Sequence, residues 1–285
     1  MIYLSTGGFQ NLAPQSVIQK FNEQGIKSIE LSGGKYVAQK KIIKFLKKRN
    51  DVNYSLHNYF PVPKKKFVIN LASIEKGIFR KTFSNIKKSI EISNTLNSKY
   101  FSFHAGFLFN PNIKDLGKKF AKVKLQNRKK SIKLFLNRVN LLAKEAKKKN
   151  VKILIENNVI TKENLKRFKQ DPLLLTHPKE IIEFFKKCDK NVGLLLDVGH
   201  LKVSAKTYGF NLFKAHEMLK PYVEGYHLSD NDGLKDSNSE FTKKSWFYNK
   251  LKRNVKYISI EVYSKNFKKL KSLQYLIKKK YDKYH

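Results

Sequence analysis

The sequence predicts a single α/β domain that spans residues 1–285 and folds as a (β/α)8 barrel. Apolar, strand-like runs alternate with segments of helical period, and we count eight such alternations. The length of 285 residues suits one barrel, because barrels of about 250 residues commonly form one domain. No Gly/Ser-rich or Pro-rich linker divides the chain. Several apolar runs also end on Asp, Glu or His, as expected where the carboxyl ends of parallel strands meet at one site.

The eight predicted strands are rich in Ile, Val, Leu, Tyr and Phe without strict alternation. This composition is typical of strands that are covered on both faces. The strands span approximately residues 2–6, 27–31, 52–57, 99–104, 151–156, 192–198, 223–228 and 257–263.

The segments between the strands carry apolar stripes at helical spacing, which we interpret as core positions. Pro14 suits a first helical turn, and Thr176 or His177 can cap a helix just before Pro178. We therefore interpret His177 as a residue at the start of a helix, and His216 as a helical residue. The two clearest stripes are Val17, Ile18 and Phe21, followed by Ile132, Phe135, Leu136, Val139, Leu142 and Ala146.

The composition limits the possible classes of protein. The formal net charge of +38 comes almost entirely from lysine, and it is consistent with the residue usage of an AT-rich genome or with a selected surface for polyanions. The lone Cys188 excludes an intramolecular disulfide framework. No apolar run reaches the roughly 18 residues of a membrane span, and the N-terminus lacks an export pattern. We expect a cytoplasmic protein that does not insert into membranes.

Six of the apolar runs end on a candidate metal ligand. The last four are Glu156, Asp197, His227 and Glu261, separated by 41, 30 and 34 residues, which is close to one strand–helix–strand unit. Three carboxylates and one imidazole suit Mn²⁺, Co²⁺, Mg²⁺ or Zn²⁺. The alternative is that these acids serve separately as ion-pair or capping residues. The other two runs end on His57 and His104.

The motifs around these residues resemble those of the xylose isomerase-like barrels, which include sugar isomerases, sugar epimerases and endonuclease IV. The resemblance spans almost the whole chain in strand order. It implies that Glu156, Asp197, His227 and Glu261 are shared metal ligands, and that His200 contacts substrate or a further metal. The motifs are SLHNYF, SFHAG, LIENN, LLDVGH, YHLSDNDG and SIEVY.

The isomerase and epimerase branch implies proton transfer by the two ligand glutamates. Glu156 and Glu261 match these catalytic positions, and the substrate would be a small sugar or sugar phosphate next to a divalent metal. His57, His104 and His200 would then contact the substrate. The position at which some epimerases of the family carry an arginine is Gly233 here, so substrate handling would differ from those members.

The endonuclease IV branch implies zinc-dependent cleavage of abasic-site DNA. His57 and His104 match its additional ligands, and His200 and Asp236 match two ligands of a third metal. Asn238 stands where that site would need an imidazole, and the expected glycine-rich segments are missing. We therefore favour an isomerase or epimerase, with the phosphodiesterase as the alternative and a catalytically inactive sugar-binding barrel as a third hypothesis. Nucleic acid is the less favoured partner, and homo-oligomerisation stays open.

Overall fold

The computed structural model describes residues 1–282 and contains a closed barrel of eight parallel strands. Each strand pairs with its neighbours in sequence, and β1 also pairs with β8, which closes the sheet. The predicted (β/α)8 barrel is confirmed. The strands are β1 Ile2–Ser5, β2 Ser28–Leu31, β3 Asn53–His57, β4 Tyr100–His104, β5 Lys152–Glu156, β6 Val192–Asp197, β7 Val223–Leu228 and β8 Tyr257–Ile260.

The helices surround the barrel, but their distribution departs from a simple alternation. Two helices connect β5 to β6, and two more connect β6 to β7. The connection from β7 to β8, residues 229–256, contains no α-helix. The helices are α1 Pro14–Glu23, α2 Gln39–Lys47, α3 Lys76–Thr95, α4 Arg128–Lys147, α5 Lys162–Phe168, α6 Pro178–Phe185, α7 Val198–Tyr208, α8 Leu212–Leu219 and α9 Phe267–Asp282.

The main apolar core lies between the sheet and the helices. The stripe predicted on α4 faces this core, where the ring of Phe135 stacks on Phe184 of α6 with centroids 5.1 Å apart. A smaller cluster is formed by four residues of the strands, Tyr3, Leu154, Leu195 and Tyr257. Within residues 1–282, no helix is long and apolar enough to cross a membrane.

Two histidines have structural roles at helices, as the sequence predicts. His177 is the N-cap of α6, where its side chain accepts a hydrogen bond from the backbone N–H of Lys179. His216 lies in α8, is fully buried and has its Nε2 3.1 Å from the hydroxyl oxygen of Tyr226. Hydrogen bonding of this kind is what a buried imidazole requires.

The loops after β3, β4 and β5 hold one another in place at the carboxyl-terminal face. Asn70 donates to the carbonyl oxygens of Phe107 and Phe109, and Asn158 donates to those of Ala105, Gly106 and Leu174. These loops also share a second apolar cluster. The loops at this face are therefore also joined by apolar packing, and the buried members of the cluster are Val68, Phe107, Phe109, Phe120, Ile160 and Leu173.

Candidate metal centre

Side chains on alternate strand positions point into the barrel, because successive residues of a strand face opposite sides of the sheet. Leu154 and Tyr257 therefore lie inside the barrel on the same strand faces as Glu156 and Glu261. The strand register places His104 beside Glu156 and Asp197 beside His227. The carboxyl-terminal end of the barrel consequently gathers polar side chains from six strands: Glu30, His57, His104, Glu156, Asp197, His227 and the residue just after β8, Glu261.

Four of the predicted ligands form one buried group. Glu156, Asp197, His227 and Glu261 each offer a ligand atom, and these atoms lie within 4.8 Å of one another. His227 Nδ1 is 3.2 Å from Glu156 Oε1 and 3.1 Å from Glu261 Oε2. Four groups that are remote in sequence thus converge as the spacing of the motifs predicts.

The donor set of this group fits a divalent cation. Three buried carboxylates repel one another, and a cation offsets that repulsion. Asp197 Oδ2 is buried and accepts no hydrogen bond from residues 1–282. A buried oxygen without a partner needs an explanation, and coordination of a divalent cation would supply one.

A second group uses the other oxygen of Glu156. His57 Nε2 lies 3.4 Å and His104 Nδ1 3.6 Å from Glu156 Oε2. The three residues form a further set that could hold a metal ion. The remote Nδ1 of His57 is 2.9 Å from Ser102 Oγ, which directs Nε2 toward Glu156. Glu156 is therefore placed to serve two neighbouring sites.

His200 and Asp236 pair with each other at the edge of the site. His200 Nε2 is 3.2 Å from Asp236 Oδ2, and its Nδ1 is 2.8 Å from the carbonyl oxygen of Asn157. Neither residue belongs to a candidate metal group of three or more ligands within residues 1–282. Asn238 has a φ of 44°, and its backbone carbonyl oxygen accepts a hydrogen bond from the backbone N–H of Tyr263. The third metal ion thus stays a prediction for which the structure supplies only a pair of ligands.

Burial and the crowding of charges set the protonation of the ligands. Burial raises the pKa of Asp197, and the neighbouring Glu156 and Asp236 add to this effect, so that its pKa reaches about 7 despite the attraction of His200. Burial alone would lower the pKa of His227, but Glu30 and Glu156 raise it well above its usual 6.5. Two ligands therefore hold protons near neutral pH in the absence of a cation.

In contrast to Asp197 and His227, Glu156 and His104 have lowered pKa values. Burial would raise the pKa of Glu156, but His104 and His227 hold it well below its usual value. Burial lowers the pKa of His104 to about 4, so its imidazole is neutral at pH 7. A neutral imidazole keeps the lone pair that a metal ion or a substrate hydroxyl requires.

Two functional candidates were missed by the sequence analysis. Glu30 of β2 is fully buried, and its Oε2 lies 2.9 Å from His227 Nε2. Tyr263 donates its hydroxyl hydrogen to Glu261 Oε1 at 3.3 Å, and its side chain is half exposed. An acidic residue flanked by Ile29 and Leu31 inside a predicted strand was the available signal for Glu30. No comparable signal marks Tyr263.

Comparisons with known proteins agree with this architecture. The sequence family described as a xylose isomerase-like TIM barrel matches residues 18–265. No curated protein matches the sequence. Solved structures also match this chain, but their sequence identities are low, so the similarity shows a shared fold and no more.

Three solved structures illustrate the similarity. A D-tagatose 3-epimerase-like protein has a TM-score of 0.71 and 20% identity, covering 99% of this chain and 97% of its own. D-psicose 3-epimerase from Clostridium cellulolyticum H10, with D-tagatose, has a TM-score of 0.64 and 12% identity, covering 97% and 96%. A xylose isomerase-like TIM barrel protein from Mycobacterium smegmatis, in complex with magnesium, has a TM-score of 0.66 and 12% identity, covering 98% and 97%.

Proposed function

Because the chain belongs to the xylose isomerase-like TIM barrel family, we propose that it is a divalent-metal-dependent isomerase or epimerase of a sugar or sugar phosphate. The observation that carries the proposal is the convergence of Glu156, Asp197, His227 and Glu261 within 4.8 Å. The similarity to a D-tagatose 3-epimerase-like protein and to D-psicose 3-epimerase supports the substrate class. Mn²⁺, Co²⁺, Mg²⁺ and Zn²⁺ all suit this mixture of oxygen and nitrogen ligands.

The two glutamates carry the proton transfer in this proposal. Glu156 comes from the end of β5 and Glu261 follows β8, so their carboxylates approach the centre of the barrel from different sides. One carboxylate removes the proton from the carbon next to the substrate carbonyl, and the other returns a proton to the opposite face or to the neighbouring carbon. A bound divalent cation would polarise the carbonyl oxygen, so that a weak base suffices.

The histidines around this group are suited to orient the substrate. His104 has a side chain that is 28% exposed, whereas His57 is almost fully buried beside Glu156. His104 is therefore the more accessible donor or acceptor for a sugar hydroxyl. His200 is held by Asn157 and Asp236, which fixes its imidazole at the edge of the site. These contacts favour binding roles for all three residues.

Solvent deuterium uptake tests the proton transfer directly. The purified protein would be incubated with a divalent metal and D-tagatose, or with a ketose phosphate, in D₂O, and the substrate followed by NMR. We expect deuterium at the carbon next to the carbonyl, and loss of this uptake in Glu156→Gln and Glu261→Gln. Glu224→Gln is the matched control, because Glu224 lies near the start of β7 and pairs with Lys152 at 2.9 Å. Uptake that persists in both site variants contradicts the assignment of the bases.

The second candidate function is cleavage of abasic-site DNA, and one observation favours it. His57, His104 and Glu156 form a further possible metal group beside the first. An oligonucleotide with one abasic site would be incubated with the zinc-loaded protein and analysed for strand cleavage. Cleavage that disappears in His104→Ala, with two to three zinc ions per chain instead of about one, would favour this function. Binding of D-tagatose without uptake or cleavage would favour the inactive sugar-binding barrel.

A further inference from the structure

A buried carboxylate lies directly behind the imidazole of His227. Glu30 Oε2 is 2.9 Å from His227 Nε2, and the side chains of both residues are fully buried. The opposite ring nitrogen, Nδ1, faces Glu156 Oε1 at 3.2 Å and Glu261 Oε2 at 3.1 Å. One nitrogen of this ring thus faces Glu30, and the other faces Glu156 and Glu261.

We propose that Glu30 is a positioning residue for the metal ligand His227. The inference rests on the proposed metal-dependent function, and it assigns a task to a residue outside the group of four. A histidine can ligate a cation through Nδ1 only if that nitrogen carries no proton, and the ring proton then resides on Nε2. Glu30 accepts this Nε2 proton in a hydrogen bond, which selects the tautomer and aims Nδ1 at the site.

Glu30 accepts a second hydrogen bond on the same oxygen that faces His227. The hydroxyl of Tyr257 donates to Glu30 Oε2, and Ser55 Oγ donates to the Tyr257 oxygen at 3.3 Å. Tyr257 and Ser55 are both buried, so water does not compete for these hydrogen bonds. The chain from Ser55 through Tyr257 to Glu30 restrains the carboxylate that orients His227.

The neighbouring histidines show the same arrangement independently. His57 has its Nδ1 2.9 Å from Ser102 Oγ, which leaves Nε2 directed at Glu156. His200 has its Nδ1 2.8 Å from the carbonyl oxygen of Asn157, which leaves Nε2 directed at Asp236. Each imidazole is thus fixed at one nitrogen and presents the other to a carboxylate. A carboxylate behind His227 differs from these neutral partners because it also increases the electron donation of the ligating nitrogen.

A purely stabilising role explains this contact less well. A buried ion pair is often no more favourable than apolar residues of the same volume, since both groups must be removed from water. The barrel interior also packs apolar side chains such as Leu154 and Leu195. Orientation of a ligand therefore accounts for a carboxylate at this position better than a gain in stability does.

The Zn²⁺ dissociation constant tests the inference. It would be measured by competition with a chromophoric chelator for the wild type, Glu30→Gln and the control Glu224→Gln, whose side chain is 41% exposed and pairs with Lys152. We expect Glu30→Gln to bind Zn²⁺ about 10- to 100-fold more weakly, because the neutral amide is a poorer partner for the Nε2 hydrogen. Glu224→Gln should match the wild type.

Proton and ¹⁵N NMR of histidine-labelled, Zn²⁺-loaded protein provides a readout that a general loss of stability does not imitate. The Nε2–H resonance of His227, assigned by its absence in His227→Asn, should be strongly deshielded in the wild type and shift upfield in Glu30→Gln. Tyr257→Phe keeps the contact between Glu30 and His227, so we expect a smaller loss of affinity and a smaller shift. This variant also tests the inference if Glu30→Gln does not fold.

The outcomes separate this inference from the proposed function. Wild-type affinity and an unchanged His227 resonance in Glu30→Gln would overturn the positioning role alone. Weakened Zn²⁺ binding in Glu30→Gln, in a protein that shows no deuterium uptake with any sugar, would support the positioning role and overturn the isomerase proposal. A wild-type protein that binds none of Zn²⁺, Mn²⁺, Co²⁺ and Mg²⁺ would overturn both.

Discussion

Replacing Asp197 with asparagine is expected to stabilise the metal-depleted protein while weakening its metal binding. Asp197 ends β6 and caps α7, where its Oδ1 accepts the backbone N–H of His200 at 2.7 Å. The asparagine carbonyl oxygen can accept the same hydrogen bond, so the helix cap is retained. The substitution therefore removes the charge at this position with little change in shape.

The magnitude of the stabilisation follows from the position of Asp197. Burial raises its pKa from 3.8 to about 7. This gap corresponds to about 4 kcal/mol, at about 1.4 kcal/mol for each pH unit. The new amide nitrogen replaces Oδ2, which accepts no hydrogen bond from residues 1–282, and an unpartnered buried amide costs about 1–3 kcal/mol. We expect a net gain in the free energy of unfolding of about 2 kcal/mol above pH 7.

The pH dependence gives this prediction a definite sign. An acid whose pKa is raised on folding lowers stability only where the unfolded chain would ionise it. Wild type and Asp197→Asn should therefore differ little from this cause below pH 3.8, and the gain should grow until about pH 7 and then level off. Below pH 3.8 only the unpartnered amide should distinguish the two proteins.

Chelator-treated wild type and variant would be compared by urea unfolding and by thermal unfolding at pH 5 and pH 8. A gain of about 2 kcal/mol should raise the midpoint temperature by roughly 4 °C at pH 8, with a smaller difference at pH 5. Zn²⁺ affinity, measured on the same samples, should fall in the variant. Equal or lower stability of the variant at pH 8, with unaltered Zn²⁺ binding, would refute the reasoning.

Three further predictions concern the site and its scaffold. Metal binding should release protons and tighten from about pH 6 to about pH 8, because the pKa values of His227 and Asp197 are raised and both residues must lose protons to act as ligands. Calorimetry in buffers of different ionisation enthalpy measures the proton release, and a pH-independent affinity would contradict the prediction. Phe135→Ala should lower the free energy of unfolding by about 3–5 kcal/mol, because the fully buried ring stacks on Phe184. Urea unfolding measures this loss, and the folded variant should keep the Zn²⁺ affinity of the wild type. Asn158→Ala removes hydrogen bonds to three loop carbonyl oxygens, so limited proteolysis should cleave the loops after β4 and β5 faster than in wild type. Unchanged cleavage would show that the apolar cluster around Phe107 and Ile160 is sufficient to hold these loops.

The fold and the group of four candidate ligands could be predicted because both depend on patterns that are local in sequence. Continuous apolar runs specify strands covered on both faces, and parallel strands require a crossover between them. Asp197, for example, directly follows the run VGLLL, so its position at a strand end is visible in the sequence. The carboxyl ends of barrel strands meet at one face, which makes convergence of such residues predictable without coordinates.

The sequence by itself thus determined the barrel, its strands and the candidate ligands Glu156, Asp197, His227 and Glu261. Only the tertiary structure decided that Glu30, one residue before the end of β2, lies behind His227. It also decided that His200 pairs with Asp236 without a third ligand from residues 1–282. The height of a side chain inside a barrel depends on the stagger between neighbouring strands, such as the pairing of Glu30 with Ser5 and Ser55. That stagger is set by hydrogen bonds and packing between segments remote in sequence, so no pattern within β2 alone can specify which imidazole its carboxylate meets.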